Sequence, residues 1–121
     1  MPHTQKQKKE YNFLTHKNKL MRINVEAVRF TADQKLIDYI EKKLSKLDQF
    51  FDRIVDINVV LKLENTGQVK DKIVEVRVNV PGDTLICKNS DKLFEASIDA
   101  VADNLKRQLI RFKEKRAKSQ A

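Results

Sequence analysis

Apolar residues recur along this chain at two different spacings, and the spacing changes within one short stretch. Leu36, Ile37, Ile40, Leu44 and Leu47 return every three or four residues, the period of a helix with one buried side. From Ile57 onward the apolar positions alternate, as Ile57, Val59, Leu61 and Leu63. That is the period of a strand with one buried face. The change falls at Phe50-Phe51-Asp52-Arg53, where a helix feeds directly into a strand. The two phenylalanines are expected to lock the helix exit against the sheet.

The same reading extends to both sides. Residues 21–28 form a strand pattern with Ile23, Val25 and Ala27 on one face. Thr31 and Gln34 have the spacing of a capping box, which places the first helix over residues 32–50. Further strands are expected over 55–64, 72–80 and 84–89, with Val74, Val76, Val78, Val80, Leu85 and Cys87 inward. Val80-Pro81-Gly82-Asp83 suits a type II turn and joins the last two strands as a hairpin. Ser90 or Asp91 is the expected cap of a final helix running to about residue 115. Its core face is Phe94, Ile98, Val101, Leu105, Leu109 and Phe112.

The expected order is β-α-β-β-β-α. The simplest packing is an α+β two-layer sandwich, with two helices side by side on one face of a four-stranded sheet. The first β-α-β unit should be a parallel crossover and the later strands antiparallel. Residues 1–20 show no sustained period and read as a flexible basic arm or an extension ahead of the domain at 21–116. Residues 117–121 read as a short basic tail.

Charge changes the picture more than composition does. The net charge is +8 over 121 residues, a balance that points to a polyanionic partner. Bases gather late in the last helix: Lys106, Arg107, Arg111, Lys113, Lys115, Arg116 and Lys118, opposed by Glu114. A helix dipole favours cations at its C-terminus, but only over the terminal turn, and seven bases exceed that need. Lys42, Lys43 and Lys46 on the first helix are an ordinary solvated face when taken alone. Once the helices lie side by side, they become half of one basic surface.

Little else in the chain suggests chemistry. Its one cysteine, Cys87, permits no internal disulfide and fits a reducing, cytoplasmic setting. His3 and His16, the only histidines, lie in the arm, away from any metal or acid–base partner. No Gly-rich phosphate loop, CxxC pair or activated nucleophile is present, so an enzyme is not expected. No metal, cofactor, small-molecule substrate or membrane partner is expected either. The outward sheet positions Asn58, Lys62, Glu75, Arg77 and Lys88 offer no aromatic platform for stacked bases. Backbone recognition by Lys and Arg is favoured instead.

Two blocks carry a family resemblance. The first is Lys46-Leu47-Asp48-Gln49-Phe50-Phe51-Asp52-Arg53-Ile54 with Val59-Val60-Leu61-Lys62. The second is Ala96-Ser97-Ile98-Asp99, Leu105-Lys106-Arg107-Gln108-Leu109 and Lys113-Glu114-Lys115. Together they resemble the short form of the bacterial ribosome hibernation promoting factor family. That family includes the ribosome-associated inhibitor A and was once labelled sigma-54 modulation proteins. The resemblance implies the same fold, related in shape to double-stranded RNA-binding domains. It also implies a protein, monomeric when free, that binds the small ribosomal subunit and its rRNA between head and body, silencing idle ribosomes in stationary phase or stress. Its rRNA contacts would be Lys42, Lys43, Lys46, Arg53, Lys106, Arg107, Arg111, Lys113, Lys115 and Arg116. The chain departs from the family pattern at Glu95, where a tyrosine is common, and at Phe112, where a histidine is common. Two other readings stay open at this point. One is a general double-stranded RNA-binding module. The other is a protein-interacting transcription modulator with an apolar patch at Ile73 and Ile86.

Overall fold

A computed structural model describes residues 6–15, 19–66 and 69–119. The elements run β1 (Lys6–Leu14), β2 (Leu20–Val28), α1 (Gln34–Leu44), a 3-10 turn (Ser45–Gln49), β3 (Asp56–Thr66), β4 (Val69–Val80), β5 (Asp83–Asp91) and α2 (Phe94–Ser119). The strands form one mixed sheet in the order β1-β2-β3-β4-β5. β2 and β3 pair in parallel, from Ile23 opposite Ile57 to Val28 opposite Lys62. The other pairings among the described residues are antiparallel, as the hairpin reading requires. Gly82 takes φ +83 in the β4–β5 turn, the left-handed conformation a type II turn demands at that position.

One face of the sheet carries the core. Ile23 and Val25, Ile57, Val59 and Leu61, and Val74, Val76 and Val78 meet the apolar stripes of both helices in a single cluster. Leu44, Leu105 and Leu109 within it are completely buried. Each such side chain contributes about 1.5–3 kcal/mol of burial free energy. That contribution, more than helix propensity, holds the helices down.

The sheet has five strands, not four. Residues 6–14, expected as part of a flexible arm, pair with β2 along the whole of β1, from Lys6 opposite Val28 to Leu14 opposite Leu20. Phe13 is buried in the core and Tyr11 packs half-buried against it, while Lys8, Glu10 and Asn12 stay exposed. The alternation is short and surrounded by lysines, which hides it in the sequence. His3 and His16 lie outside the described residues, as does Gly67 of the expected β3–β4 loop.

Several local expectations are also corrected. Asp33, not Thr31, caps α1, its Oδ1 accepting from the Leu36 N–H at 2.8 Å. The helix therefore starts at Gln34, later than the capping box implies; before it the chain leaves β2 through Arg29 at φ 67, and Phe30 stacks on Phe94 at 5.3 Å. Gln34 instead donates to Asp38 at 2.9 Å. The first helix ends at Leu44 and tightens into the 3-10 turn rather than running on to residue 50. Ser90 and Asp91 belong to β5 and do not cap α2. Leu63 is exposed, because β3 continues there past the end of its pairing with β2. Ile73 is buried, flanked by Lys62 and Ser90 on the neighbouring strands. The patch expected at Ile73 and Ile86 is therefore reduced to Ile86.

If β1 is part of the folded unit, Phe13→Ala should lower unfolding free energy by about 3 kcal/mol in urea melts. Melts that superimpose on the wild type would mean that the strand does not hold in solution.

Candidate nucleic-acid interface

β2, β3 and β5 all run in the same direction, since β5 reverses β4 and β4 reverses β3. The helices that follow β2 and β5 therefore leave the same end of the sheet and run parallel. Side-chain contacts advance in step along both: Tyr39 with Asp99, Lys106 over Phe50, and Phe51 against Phe112. Lys43 and Lys46 thus come beside Asp99, Asp103 and Lys106, the stretch of α2 where acids give way to bases.

Between the helices lies a cavity of about 260 Å³, lined by Lys43, Lys46, Gln49, Phe50, Asp99, Asp103 and Lys106 among others. Lys106 Nζ sits 5.0 Å from the centre of the Phe50 ring. Phe51 is buried and meets Phe112 edge-on at 5.3 Å. The aromatic pair thus locks the helix exit chiefly against α2. Phe112, at the position where the family pattern has histidine, has a packing role here.

The ten expected contact residues separate into groups. Lys43, Lys46 and Lys106 line the groove. Lys42 is exposed near the end of α1, and Arg53 on the loop beyond the 3-10 turn. Arg111 and Lys115 line a second cavity of about 190 Å³ with Asp83, Leu85, Gln108 and Phe112, on the β5 side of α2. Lys113 is exposed. Arg116 is folded back, donating to the Pro81 carbonyl at 3.2 Å and lying 5.7 Å from the Phe112 ring. Its position ties the end of α2 to the β4–β5 turn. The Lys118 side chain lies outside the described residues.

Lys43 and Arg107 are paired with carboxylates within the domain. Lys43 Nζ lies 3.4 Å from Asp99, and Arg107 lies 3.2 Å from Asp103 one turn earlier on α2. Tyr39 donates its hydroxyl to the same Asp99 carboxylate at 2.6 Å, and Lys43 Nζ sits 5.5 Å from the Tyr39 ring. The hydrogen bond to Asp99, with partial burial and the charges of Asp99 and Glu95, pushes the Tyr39 phenol from 10.0 up to about 12. Sequence reasoning did not find this clasp. Its partners are 60 residues apart, and nothing in either helix alone marks them. The Asp103–Arg107 pair has the i,i+4 spacing that could have revealed it.

A larger cavity, about 400 Å³, lies over β1, β2 and β3 and is lined by Lys8, Lys9, Glu10, Asn24, Glu26 and Asn58 among others. Its lining carries two lysines and two glutamates, with Lys8 3.5 Å from Glu26, and Glu10 lies 3.8 Å from Arg22 beside it. It therefore lacks the one-sided charge of the helical face. Among the described residues no cluster of three or more His, Cys, Asp or Glu could hold a metal, and no helix is long and apolar enough to cross a membrane.

A mixed sheet covered on one face by two parallel helices defines a small α+β domain with a basic helical face. Comparison with known proteins makes this specific. The family described as Sigma 54 modulation protein / S30EA ribosomal protein matches residues 23–117, and the chain belongs to it. It is 35% identical over 100 residues to the ribosome hibernation promoting factor of Azotobacter vinelandii, covering 83% of this chain and 90% of that one. The Escherichia coli protein of the same name is 30% identical over 95 residues, covering 78% and 96%. Among solved structures, the N-terminal domain of Thermus thermophilus Protein Y aligns with a TM-score of 0.64 at 30% identity, covering 74% of this chain and 93% of that one. A ribosomal subunit interface protein from Coxiella burnetii shares the fold, with a TM-score of 0.65 at 21% identity, covering 78% and 97%. The family match begins inside β2, so β1 lies outside it.

The clasp has a measurable signature. In a Tyr11→Phe background, ultraviolet titration should find the remaining phenol ionising near 12, and Asp99→Ala should bring it down towards 10. The raised value stabilises the fold fully below the unfolded pKa of 10.0, and that contribution is lost as pH rises through about 12. A midpoint indifferent to Asp99→Ala would rule the clasp out.

Proposed function

We propose that this chain is a ribosome hibernation factor. It binds the small ribosomal subunit between head and body, in the channel otherwise used by mRNA and tRNA. By occupying that channel it keeps idle ribosomes from translating in stationary phase or under stress. It works in the cytoplasm by steric exclusion, without catalysis. One observation carries the reading: in a chain of this family, two parallel helices place Lys43, Lys46 and Lys106 around one shared groove. The names of its relatives support the role in hibernation.

In this reading Lys42, Lys43, Lys46, Arg53, Lys106, Arg107, Arg111, Lys113 and Lys115 face rRNA phosphates, with the arginines able to bind two oxygens at once. Arg116 contributes mainly by holding the end of α2 in place. With Ile73 buried, the apolar patch that the protein-interaction reading called for is reduced to Ile86. A general duplex-RNA binder would hold arbitrary RNA as tightly as ribosomes, so competition between the two separates that reading from this one.

Sucrose-gradient sedimentation with purified ribosomes is the direct test. The protein should travel with the small subunit at low salt. If about six phosphates are contacted, raising salt from about 50 to 200 mM should weaken binding roughly a thousandfold. Lys46→Glu combined with Lys106→Glu and Arg111→Glu should remove co-sedimentation. The melting temperature should hardly change, because none of the three side chains is in the core. Undiminished binding by the folded triple variant would place the RNA surface elsewhere.

A further inference from the structure

The interhelical groove contains its own carboxylates. Asp99 and Asp103 line it together with Lys43, Lys46 and Lys106. Helix electrostatics does not ask for acids there. The macrodipole favours them in the first turn, and α2 begins at Phe94, so both residues lie beyond its reach. Nor are they needed to satisfy buried charge. The side chains of the Lys43–Asp99 pair are 36% and 48% exposed, and those of the Arg107–Asp103 pair 59% and 66%. Ion pairs this exposed are weak and open to exchange.

We propose that Asp99 and Asp103 are internal counter-ions of the groove. They hold Lys43 and Arg107 until correctly placed backbone phosphates displace them, and so they restrain binding to RNA of the wrong shape. This inference rests on the reading of the groove as an RNA surface. A carboxylate and a phosphate present the same kind of acceptor oxygen to an ammonium or guanidinium group. A cation already paired adds little to long-range attraction for any polyanion. It contributes once a phosphate is positioned to replace its partner. An arbitrary duplex that cannot deliver phosphates at both places meets two negative charges instead, whereas a shaped RNA site that can do so frees both cations. Asp99 is further held in place by the Tyr39 hydroxyl, so its carboxylate does not simply swing away into solvent.

The test uses the full chain and two probes: purified small ribosomal subunits and an RNA duplex of arbitrary sequence. Asp99→Asn and Asp103→Asn each remove one charge, and the amide oxygen introduced by Asp99→Asn can still accept from the Tyr39 hydroxyl. Glu64→Gln, at an exposed position on β3, removes the same charge away from the groove and is the control. Each Asp→Asn variant should bind the duplex roughly three- to tenfold tighter and steepen the dependence of log affinity on log salt by about one. The gain on small subunits should be smaller. Equal gains on both probes, an unchanged salt slope, or the same effect from Glu64→Gln would overturn the proposal. Wild-type protein that binds no small subunits even at low salt would overturn the underlying reading and this inference with it. Wild-type binding that both Asp→Asn variants merely reproduce on each probe would overturn this inference alone.

Discussion

The parallel pairing of β2 with β3 is the constraint on which the rest depends. A hairpin cannot join parallel strands, so the chain must cross the sheet before β3, and α1 makes that crossing. Two antiparallel reversals later, β5 runs the same way as β2. The helix following each therefore starts at the same end, and the two lie parallel on the core face. The lysines late in α1 thereby come beside Lys106 of α2 and also beside its acids Asp99 and Asp103.

Packing turns this polarity into a surface. Phe51 against Phe112 joins the segment after α1 to the far part of α2. Arg116 ties the following turn of that helix to the β4–β5 loop. Tyr39 and Asp99 join the helices nearer their starts. Between these ties the groove keeps its shape, with Lys46 and Lys106 in its lining. The cations differ in what they can do. Lys42, Arg53 and Lys113 are exposed, Lys43 and Arg107 are held by carboxylates, and Arg116 has become part of the scaffold. Net charge records none of these distinctions.

β1 adds a separate feature. It lies outside the family match and covers the edge that β2 would otherwise present. An uncovered edge strand can pair with other chains, and lysine-rich sequence on the strand now at the edge discourages such pairing. The addition lies at the sheet edge, so the basic helical face and the edge protection occupy different parts of the fold.

The two periodicities determined most of this protein by themselves. A period near 3.6 set the apolar stripes of both helices. A period of two set the inward residues of β2, β3, β4 and β5, apart from Leu63, which lies past the pairing with β2 and is exposed. Both follow from backbone geometry, which is local and so legible in sequence. The motif blocks around Phe50-Phe51 and over residues 105–109 marked the family for the same reason, since each is a contiguous stretch. β1 escaped because its alternation is short and its pairing with β2 supplies most of its stability. The start of α1 was misplaced because two cap candidates, Thr31 and Asp33, lie two residues apart and Asp33 makes the cap. Only the tertiary structure decided which cations are exposed, which are paired and which hold the fold together. That depends on side chains from separate elements meeting in space, as Tyr39 and Lys43 meet Asp99, and no spacing along the chain encodes such a meeting.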